Sequence, residues 1–156
     1  MESLNNSFRK LPKYPNKVIQ FGEGNFLRAF IDWQIHQMNK QGLFKGGVQV
    51  VQPLPVGRIK NLDAQDDLYT VLLEGILNGK KVQSHEIIES INGTVNPFTD
   101  FDKYMALAED DNIEVIFSNT TEAGIQFVKT DTIDNVKQGK QSSYPAKLTV
   151  LLYHRF

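Results

Sequence analysis

The stretch VIQFGEGNFLRAF, residues 18–30, joins an apolar run to a helix-like run through the turn Gly-Glu-Gly at 22–24. The β-branched residues before the turn predict a short buried strand. After the turn, apolar residues recur at helical spacing from 25 to about 40, which predicts a helix. A simple turn needs no second glycine, whereas a backbone that approaches a phosphate does. The stretch therefore predicts a strand, a tight turn and a helix whose N-terminus faces a ligand.

Two of the three glycines of the dinucleotide-binding fingerprint G-x-G-x-x-G/A are present in this turn. Gly22 would form the tight turn, and Gly24 would let a pyrophosphate contact the backbone. Leu27 occupies the third position, and Ala29 is the nearest small residue. The following helix would offer free N–H groups and a partial positive charge to the pyrophosphate. The alternative is a strand–helix turn with no ligand, and the residues alone leave both interpretations open.

Arg28 lies in the first turn of the predicted helix, where it could reach the phosphates or an anionic substrate. Alternatively, it belongs to a solvated polar face, because Asp32 and His36 follow it at helical spacing. The spacing alone does not decide between these roles for Arg28.

The rest of the chain alternates strand-like and helix-like segments. The pattern predicts a buried strand at 48–52, a loop at 53–67, a hairpin turning at Asn78-Gly79, a helix at 96–110, a buried strand at 113–119, a loop at 129–143 and a helix at 144–156. This order of elements predicts an α/β fold with a doubly wound, mostly parallel sheet and an inserted antiparallel hairpin.

A standard fingerprint has an acidic residue at the end of the second strand, where it bonds the ribose 2′-hydroxyl. Here that place reads Gln52-Pro53. Gln52 can hydrogen-bond a hydroxyl but does not repel a 2′-phosphate, and Arg58 could attract one. Gln52 is therefore a candidate cofactor contact, and these residues leave the choice between NAD and NADP open.

A second polar cluster follows the strand predicted at 113–119 and consists of Asn119, Thr120, Thr121 and Glu122. Ligands of open α/β sheets bind beyond the carboxyl ends of the strands. Four hydrogen-bonding side chains there suit a ribose, a nicotinamide or a substrate. The alternative is a polar turn in which Asn119 or Thr120 caps the next segment.

The composition of the chain excludes several classes of function. Its 156 residues are enough for one domain, and a formal net charge of -1 without a basic block argues against a nucleic-acid partner. With no cysteine and three widely separated histidines, we expect no disulfide and no metal site. Because we find neither a signal peptide nor an apolar run long enough to span a membrane, we expect a cytoplasmic protein.

Five stretches together resemble the mannitol dehydrogenase family, the long-chain polyol dehydrogenases. They are QFGEGNFLRAFIDWQI, VVQPLPVG, DDLYTVLLEGILNGK, FSNTTEAGI and YPAKLTVLLYHRF. The stretches are scattered from about residue 18 to the C-terminus, so the resemblance extends over nearly the whole chain. The resemblance implies a Rossmann-type domain that binds NAD. It also implies reversible hydride transfer between a nicotinamide and the keto carbon of a sugar acid, since the likeness is strongest to members that interconvert tagaturonate and altronate in hexuronate catabolism.

The resemblance also implies which residues contact the cofactor. It assigns Gly22, Gly24, Asn25, Phe26 and Arg28 to the cofactor-binding turn and places residues 119–122 near the nicotinamide. Together with their neighbours, the predicted cofactor-binding residues are Phe21, Gly22, Glu23, Gly24, Asn25, Phe26, Leu27, Arg28, Gln52, Asn119, Thr120, Thr121 and Glu122.

Members of the family are much longer, and their catalytic lysine lies in a helical C-terminal domain that has no counterpart in this sequence. We therefore expect residues 1–156 to be an N-terminal NAD-binding domain whose partner is the C-terminal domain of the same polypeptide. We predict no catalytic residue in this chain. Lys147 and Glu122 could contact an anionic substrate, but a structural or solvated role is the alternative for Lys147.

The sequence leaves two alternatives to the tagaturonate prediction open. The same domain could belong to a fructuronate reductase or another polyol dehydrogenase, since substrate choice resides largely in the other domain. It could also be an interaction module without nucleotide, whose apolar row of Phe26, Phe30 and Trp33 contacts a partner.

Overall fold

The structure is a computed structural model that describes residues 3–138 and 143–156. Its strands are β1 (Asn16–Phe21), β2 (Gly47–Val51), β3 (Tyr69–Leu77), β4 (Lys80–Ile88), β5 (Ile91–Val95) and β6 (Val115–Ser118). Its α-helices are α1 (Trp33–Lys40), α2 (Ile59–Asp63), α3 (Phe101–Glu109), α4 (Ile133–Gln138) and α5 (Tyr144–Arg155). A π-helical segment (Leu27–Asp32) leads into α1, and 3-10 turns occur at Asn6–Phe8 and Glu122–Ile125.

Four strands form a parallel sheet in the order β5-β2-β1-β6. Phe21, the last residue of β1, lies opposite Val51 of β2 and Ser118 of β6. The chain progresses outward from β1 to β2 and β5 on one side and returns to place β6 on the other. This reversal makes the gap between β1 and β6 the topological switch point of the sheet, where ligands of open α/β folds bind. The predicted doubly wound, mostly parallel sheet is confirmed.

Both faces of the sheet are covered by an apolar core. The side chains of β1 alternate between the two faces and so contribute to both cores. The first core lies under α1 and the base of the hairpin; its buried residues are Val18, Ile35, Val48, Val50, Ile59, Leu62, Tyr69, Val71, Ile88 and Ile91. The second core lies under α3 and α5; its buried residues are Ile19, Phe21, Val51, Val95, Tyr104, Leu107, Ala108, Ile113, Val150 and Leu151. Helices on both faces are what the alternation of strands and helices predicts.

The inserted hairpin is confirmed and forms a two-stranded sheet of its own. β3 and β4 pair antiparallel from Tyr69 opposite Ile88 to Leu77 opposite Lys80. The two turn residues, Asn78 and Gly79, both have positive φ, as a tight two-residue hairpin turn requires. The base of the hairpin packs on the first core, whereas its tip is exposed.

The structure corrects several sequence predictions. The loop predicted at 53–67 contains α2, and β5 is a fourth parallel strand that the sequence pattern did not separate from the hairpin. The loop predicted at 129–143 contains α4, while its residues 139–142 lie outside the described chain.

The solvated polar face, the alternative considered for Arg28 with Asp32 and His36, is not observed. Asp32 and His36 are buried, at 0% and 2% exposure, because the hairpin packs over this side of the helix. The helical spacing therefore placed the three residues on one side of the helix correctly, but it did not reveal that the hairpin packs over that side.

Candidate cofactor-binding site

The turn after β1 is held in place by its neighbours on both sides. Gly22 has φ +107°, a conformation that L residues with a side chain rarely adopt. Its N–H donates to the Val51 carbonyl at 2.8 Å, and its own carbonyl accepts from Gln20 Nε2 at 3.1 Å. The Leu27 side chain packs against Gly22, and its Cδ1 lies 3.7 Å from the position that a Cβ added to Gly22 would occupy. The turn is thus fixed before any ligand arrives.

Gly24 faces open space at the start of the helix. No atom lies within 4 Å of the position that a Cβ on Gly24 would occupy. Among residues 3–138 and 143–156, the backbone N–H groups of Gly24, Asn25 and Phe26 have no hydrogen-bond acceptor, and no side chain caps this helix. Free N–H groups at a helix N-terminus beside an unobstructed backbone are what a phosphate group needs.

Arg28 binds the turn instead of extending into solvent. Its Nε donates to the Glu23 carbonyl at 3.0 Å, and its Nη2 donates to Asn25 Oδ1 at 2.6 Å. Its guanidinium carbon lies 5.3 Å from the centroid of the Tyr69 ring. Arg28 therefore orders the helix start and brings positive charge to it.

The loop after β6 lies beside the loop after β1. The Asn119 carbonyl oxygen is 3.9 Å from the position of a Cβ on Gly22. The side chains of Asn119, Thr120, Thr121 and Glu122 are all exposed at this edge. The 3-10 turn that follows has no side-chain cap, so the capping role considered for Asn119 or Thr120 is not observed. The structure thus brings the two predicted clusters together at the switch point.

Tyr144, which the sequence did not identify, links β1 and β6 at the switch point. Its hydroxyl donates to the Phe21 carbonyl at 3.3 Å and lies 2.8 Å from the Ser118 hydroxyl. Burial raises the pKa of this phenol, and the bond with Ser118 opposes the rise, so the hydroxyl keeps its proton at neutral pH. No spacing rule could have found Tyr144, because the contact spans more than a hundred residues.

Gln52 and Glu23 meet on the loop that follows β2. Gln52 is buried; its Oε1 accepts from the Ile59 N–H at 3.3 Å, and its Nε2 donates to the Leu54 carbonyl at 3.0 Å. Glu23 Oε1 accepts from the Arg58 N–H at 3.2 Å. A Cβ on Gly57 would overlap both side chains, at 2.4 Å from each. Glu23 thus holds this loop against the turn. The Gln52 amide lies inside the loop, where both of its polar atoms are hydrogen-bonded to loop backbone.

Phe26, a predicted cofactor contact, and Lys147, a candidate substrate contact, differ in exposure. Phe26 is 58% exposed and stacks on Phe30 with ring centroids 5.5 Å apart. Lys147 is fully buried, with Nζ 4.1 Å from the centroid of the Phe98 ring. Burial lowers the pKa of Lys147, and Asp131 opposes this effect. These contacts favour the structural role for Lys147.

A family model described as the mannitol dehydrogenase Rossmann domain matches residues 16–156. The chain belongs to the mannitol dehydrogenase family. Within residues 3–138 and 143–156 we find no helix able to cross a membrane and no group of three potential ligand side chains for a metal ion.

Relatives within this family carry the name altronate oxidoreductase. The chain is 47% identical to the enzyme of that name from Bacteroides thetaiotaomicron over 156 residues and 46% identical to that from Bacillus subtilis over 157 residues. In each case the match covers 100% of this chain and 32% of the relative. The chain thus spans about a third of the length of the curated relatives it matches.

Two solved dehydrogenase structures share the fold. The Pseudomonas fluorescens mannitol 2-dehydrogenase, solved as a ternary complex with NAD and D-mannitol, superposes with a TM-score of 0.77 at 17% identity. A D-sorbitol dehydrogenase in substrate-free form superposes with a TM-score of 0.76 at 18% identity. Each match covers 99% of this chain and 36% of the other chain, so the similarity establishes the Rossmann fold of this domain.

Proposed function

We propose that this chain is the NAD-binding domain of an oxidoreductase that interconverts tagaturonate and altronate. The observation that carries the proposal is the arrangement at the switch point, where Gly24 leaves its backbone open and residues 119–122 are exposed. The relatives named altronate oxidoreductase support this substrate pair, because they match the whole chain at 46–47% identity.

The residues at the turn fit a dinucleotide. Gly22 supplies the positive φ, and the open side of Gly24 leaves room for a pyrophosphate against the free N–H groups. Leu27, at the third fingerprint position, is buried beneath Gly22 and does not obstruct the open side. Arg28 lies one helical turn away and adds positive charge to the same anion site.

Bound NAD supplies or accepts the hydride, and the chain binds and orients it. The N–H groups at Gly24 and Asn25 would hold the pyrophosphate, and the polar side chains of residues 119–122 would bond the nicotinamide half. We further propose that residues 1–156 belong to an N-terminal NAD-binding domain and that the proton donor for the carbonyl is a lysine in a helical C-terminal domain of the same polypeptide. Closure of that domain would exclude water from the site.

Calorimetric titration of the chain with NAD and, separately, NADP tests the cofactor site. We expect saturable binding that favours NAD and disappears in Gly24→Asp, because a carboxylate there fills the open space and repels phosphate. The matched control is Gly75→Asp on the hairpin, since Gly75 also has no atom within 4 Å of its Cβ position and the charge change is equal. Binding that survives Gly24→Asp, or that is equally lost in Gly75→Asp, contradicts the pyrophosphate site.

The substrate is tested on the longer enzyme that contains this domain. We expect NADH oxidation with tagaturonate and a lower kcat/KM with fructuronate and with fructose. A preference for fructuronate would replace the tagaturonate assignment while leaving the cofactor site intact. Absence of binding to any nicotinamide nucleotide by the longer enzyme would instead favour an interaction module.

A further inference from the structure

The end of β2 lacks the carboxylate that a dinucleotide-binding sheet usually has there. In the standard fingerprint this carboxylate accepts a hydrogen bond from the 2′-hydroxyl of the adenosine ribose. The residue at that position here is Gln52, which is buried, and both polar atoms of its amide are bonded to the backbone of its own loop. Because this amide is engaged within the loop, recognition of the ribose falls to another side chain.

The carboxylate of Glu23, from the turn after β1, lies beside this position. A Cβ on Gly57 would be 2.4 Å from Glu23 Oε1 and 2.4 Å from Gln52 Oε1, so these two oxygens are no more than twice that distance apart. Glu23 Oε1 also accepts from the Arg58 N–H at 3.2 Å. The Glu23 side chain thus crosses from the turn to the loop after β2, and its negative charge lies next to the place of the missing fingerprint acid.

Glu23 is fixed at both its backbone and its side chain. Its carbonyl accepts from Arg28 Nε at 3.0 Å, and its carboxylate accepts from the Arg58 N–H on the neighbouring loop. The side chain is half-buried between the two loops. A carboxylate that is held in place before the ligand arrives loses little side-chain entropy on binding, which favours a specific contact.

The charge of Glu23 is available to a ligand. Across residues 3–138 and 143–156, Glu23 has no ion pair, and its Oε2 accepts no hydrogen bond. Arg58 bonds Glu23 through its backbone N–H, and its exposed side chain does not neutralise the carboxylate. An ionised carboxylate accepts hydrogen bonds at both oxygens, so Oε2 can accept one from a hydroxyl group.

We propose that Glu23 is the residue that selects the cofactor: its carboxylate accepts a hydrogen bond from the 2′-hydroxyl of the adenosine ribose and repels the 2′-phosphate of NADP. This inference rests on the proposed NAD site. The role of the fingerprint acid is thereby filled from the loop after β1 instead of the loop after β2. A 2′-phosphate would bring further negative charge against a half-buried carboxylate, where Coulomb repulsion is stronger than in bulk water.

Calorimetric titration of the chain with NAD and with NADP tests the charge of Glu23. In Glu23→Gln the side chain keeps an acceptor for the Arg58 N–H and loses its charge. We expect NAD to bind about tenfold more weakly, because a hydrogen bond to a charged acceptor becomes one to a neutral amide. NADP should bind at least as tightly as to wild type, so the preference for NAD should fall by about tenfold or more.

Glu109→Gln is the matched control, with an equal change of charge. Glu109 is the exposed last residue of α3. Because α3 leads into the start of β6, its C-terminal end lies at the opposite edge of the sheet from the cofactor turn. A charge at that distance is screened by salt, so this variant should keep the wild-type preference for NAD.

An NAD analogue with 2′-deoxyadenosine separates a ribose contact from a role in holding the loop. Its binding to wild type should be about tenfold weaker than that of NAD, and its binding to Glu23→Gln less than about threefold weaker, because the same bond is not lost twice. If Glu23 only holds the loop, the two changes are independent and the loss is equal in both proteins.

Equal losses with the deoxy analogue, or an unchanged preference for NAD in Glu23→Gln, overturn this inference and leave the NAD site intact. A loss of preference in Glu109→Gln as large as that in Glu23→Gln also overturns it, since net charge would then be the cause. If neither the chain nor the longer enzyme that contains it binds NAD, the proposed function fails and this inference fails with it. NAD binding by the wild type therefore shows which of the two has failed.

Discussion

The Tyr144 hydroxyl on α5 lies 2.8 Å from the Ser118 hydroxyl at the end of β6 and 3.3 Å from the Phe21 carbonyl at the end of β1. One side chain thus joins the two strands that flank the switch point. Tyr144→Phe removes both bonds and keeps the ring, which packs edge-on against Phe21 with centroids 6.2 Å apart. We expect a loss of about 1 kcal/mol in the free energy of unfolding and about fivefold weaker NAD binding.

A double-mutant cycle with Ser118→Ala measures the Tyr144–Ser118 bond itself. Chemical denaturation and calorimetry of the two single variants and the double variant give its coupling energy. We expect the two substitutions together to cost less than the sum of their separate effects, because both remove the same bond. Strict additivity in stability and in NAD affinity would show that the hydroxyl pair does not join the strands.

Gly22→Ala should destabilise the chain through backbone strain. At φ +107° an L side chain is unfavourable, and the added Cβ would meet Leu27 Cδ1 and the Asn119 carbonyl only at ordinary distances of 3.7 and 3.9 Å. We expect a loss of about 1–3 kcal/mol in the free energy of unfolding, measured by urea denaturation. Gly24→Ala is the control and should leave stability nearly unchanged, since its Cβ position is open. Equal losses in both variants would rule out strain at Gly22 as the cause.

The buried Asp32 should also make stability decrease as the pH rises. Its pKa is raised by burial from 3.8 to about 7 in the folded chain, so between these values the folded state keeps a proton that the unfolded chain has lost. The free energy of unfolding therefore falls by up to about 1.4 kcal/mol per pH unit in that window, and this contribution ends above it. Denaturation of wild type and Asp32→Asn at several pH values checks the slope. The difference between the two proteins should level off above about pH 8, and a difference that does not vary with pH would contradict a raised pKa.

The sequence predicted the strands and the site clusters where residue type and spacing carried the information. The Gly22–Gly24 turn, the Asn78-Gly79 turn and residues 119–122 each have a local signature, and the sheet brings the first and third together because parallel strands end at one edge. Tyr144 and the burial of Asp32 could not be predicted, since both depend on contacts with residues far along the chain. β5 was missed because its pattern runs on directly from the hairpin strand before it.

The carboxylate of Glu86 on β4 joins the hairpin to α1. Glu86 Oε2 accepts from Trp33 Nε1 at 3.1 Å and from Gln37 Nε2 at 2.6 Å, and its Oε1 pairs with Lys40. Partial burial opposes its ionisation, but the bonds from Lys40 and Trp33 lower its pKa overall, so the carboxylate is charged at neutral pH. Three donors from one helix face therefore converge on one residue of the hairpin.

Glu86→Ala should release the hairpin from the helix without unfolding the sheet. We expect a loss of about 2 kcal/mol, because the variant leaves the partly buried Trp33 and Gln37 donors without their acceptor. Amide hydrogen exchange should become faster in β3 and β4 and stay slow in β1 and β2, which lie in the parallel sheet. The matched control is Glu74→Ala on the same hairpin, whose carboxylate accepts from the exposed Gln83 across the strand pair at 2.7 Å. It should change stability by less than about 0.5 kcal/mol. Unchanged exchange in β3 and β4 of Glu86→Ala would mean that the apolar base of the hairpin, not this carboxylate, holds it on α1.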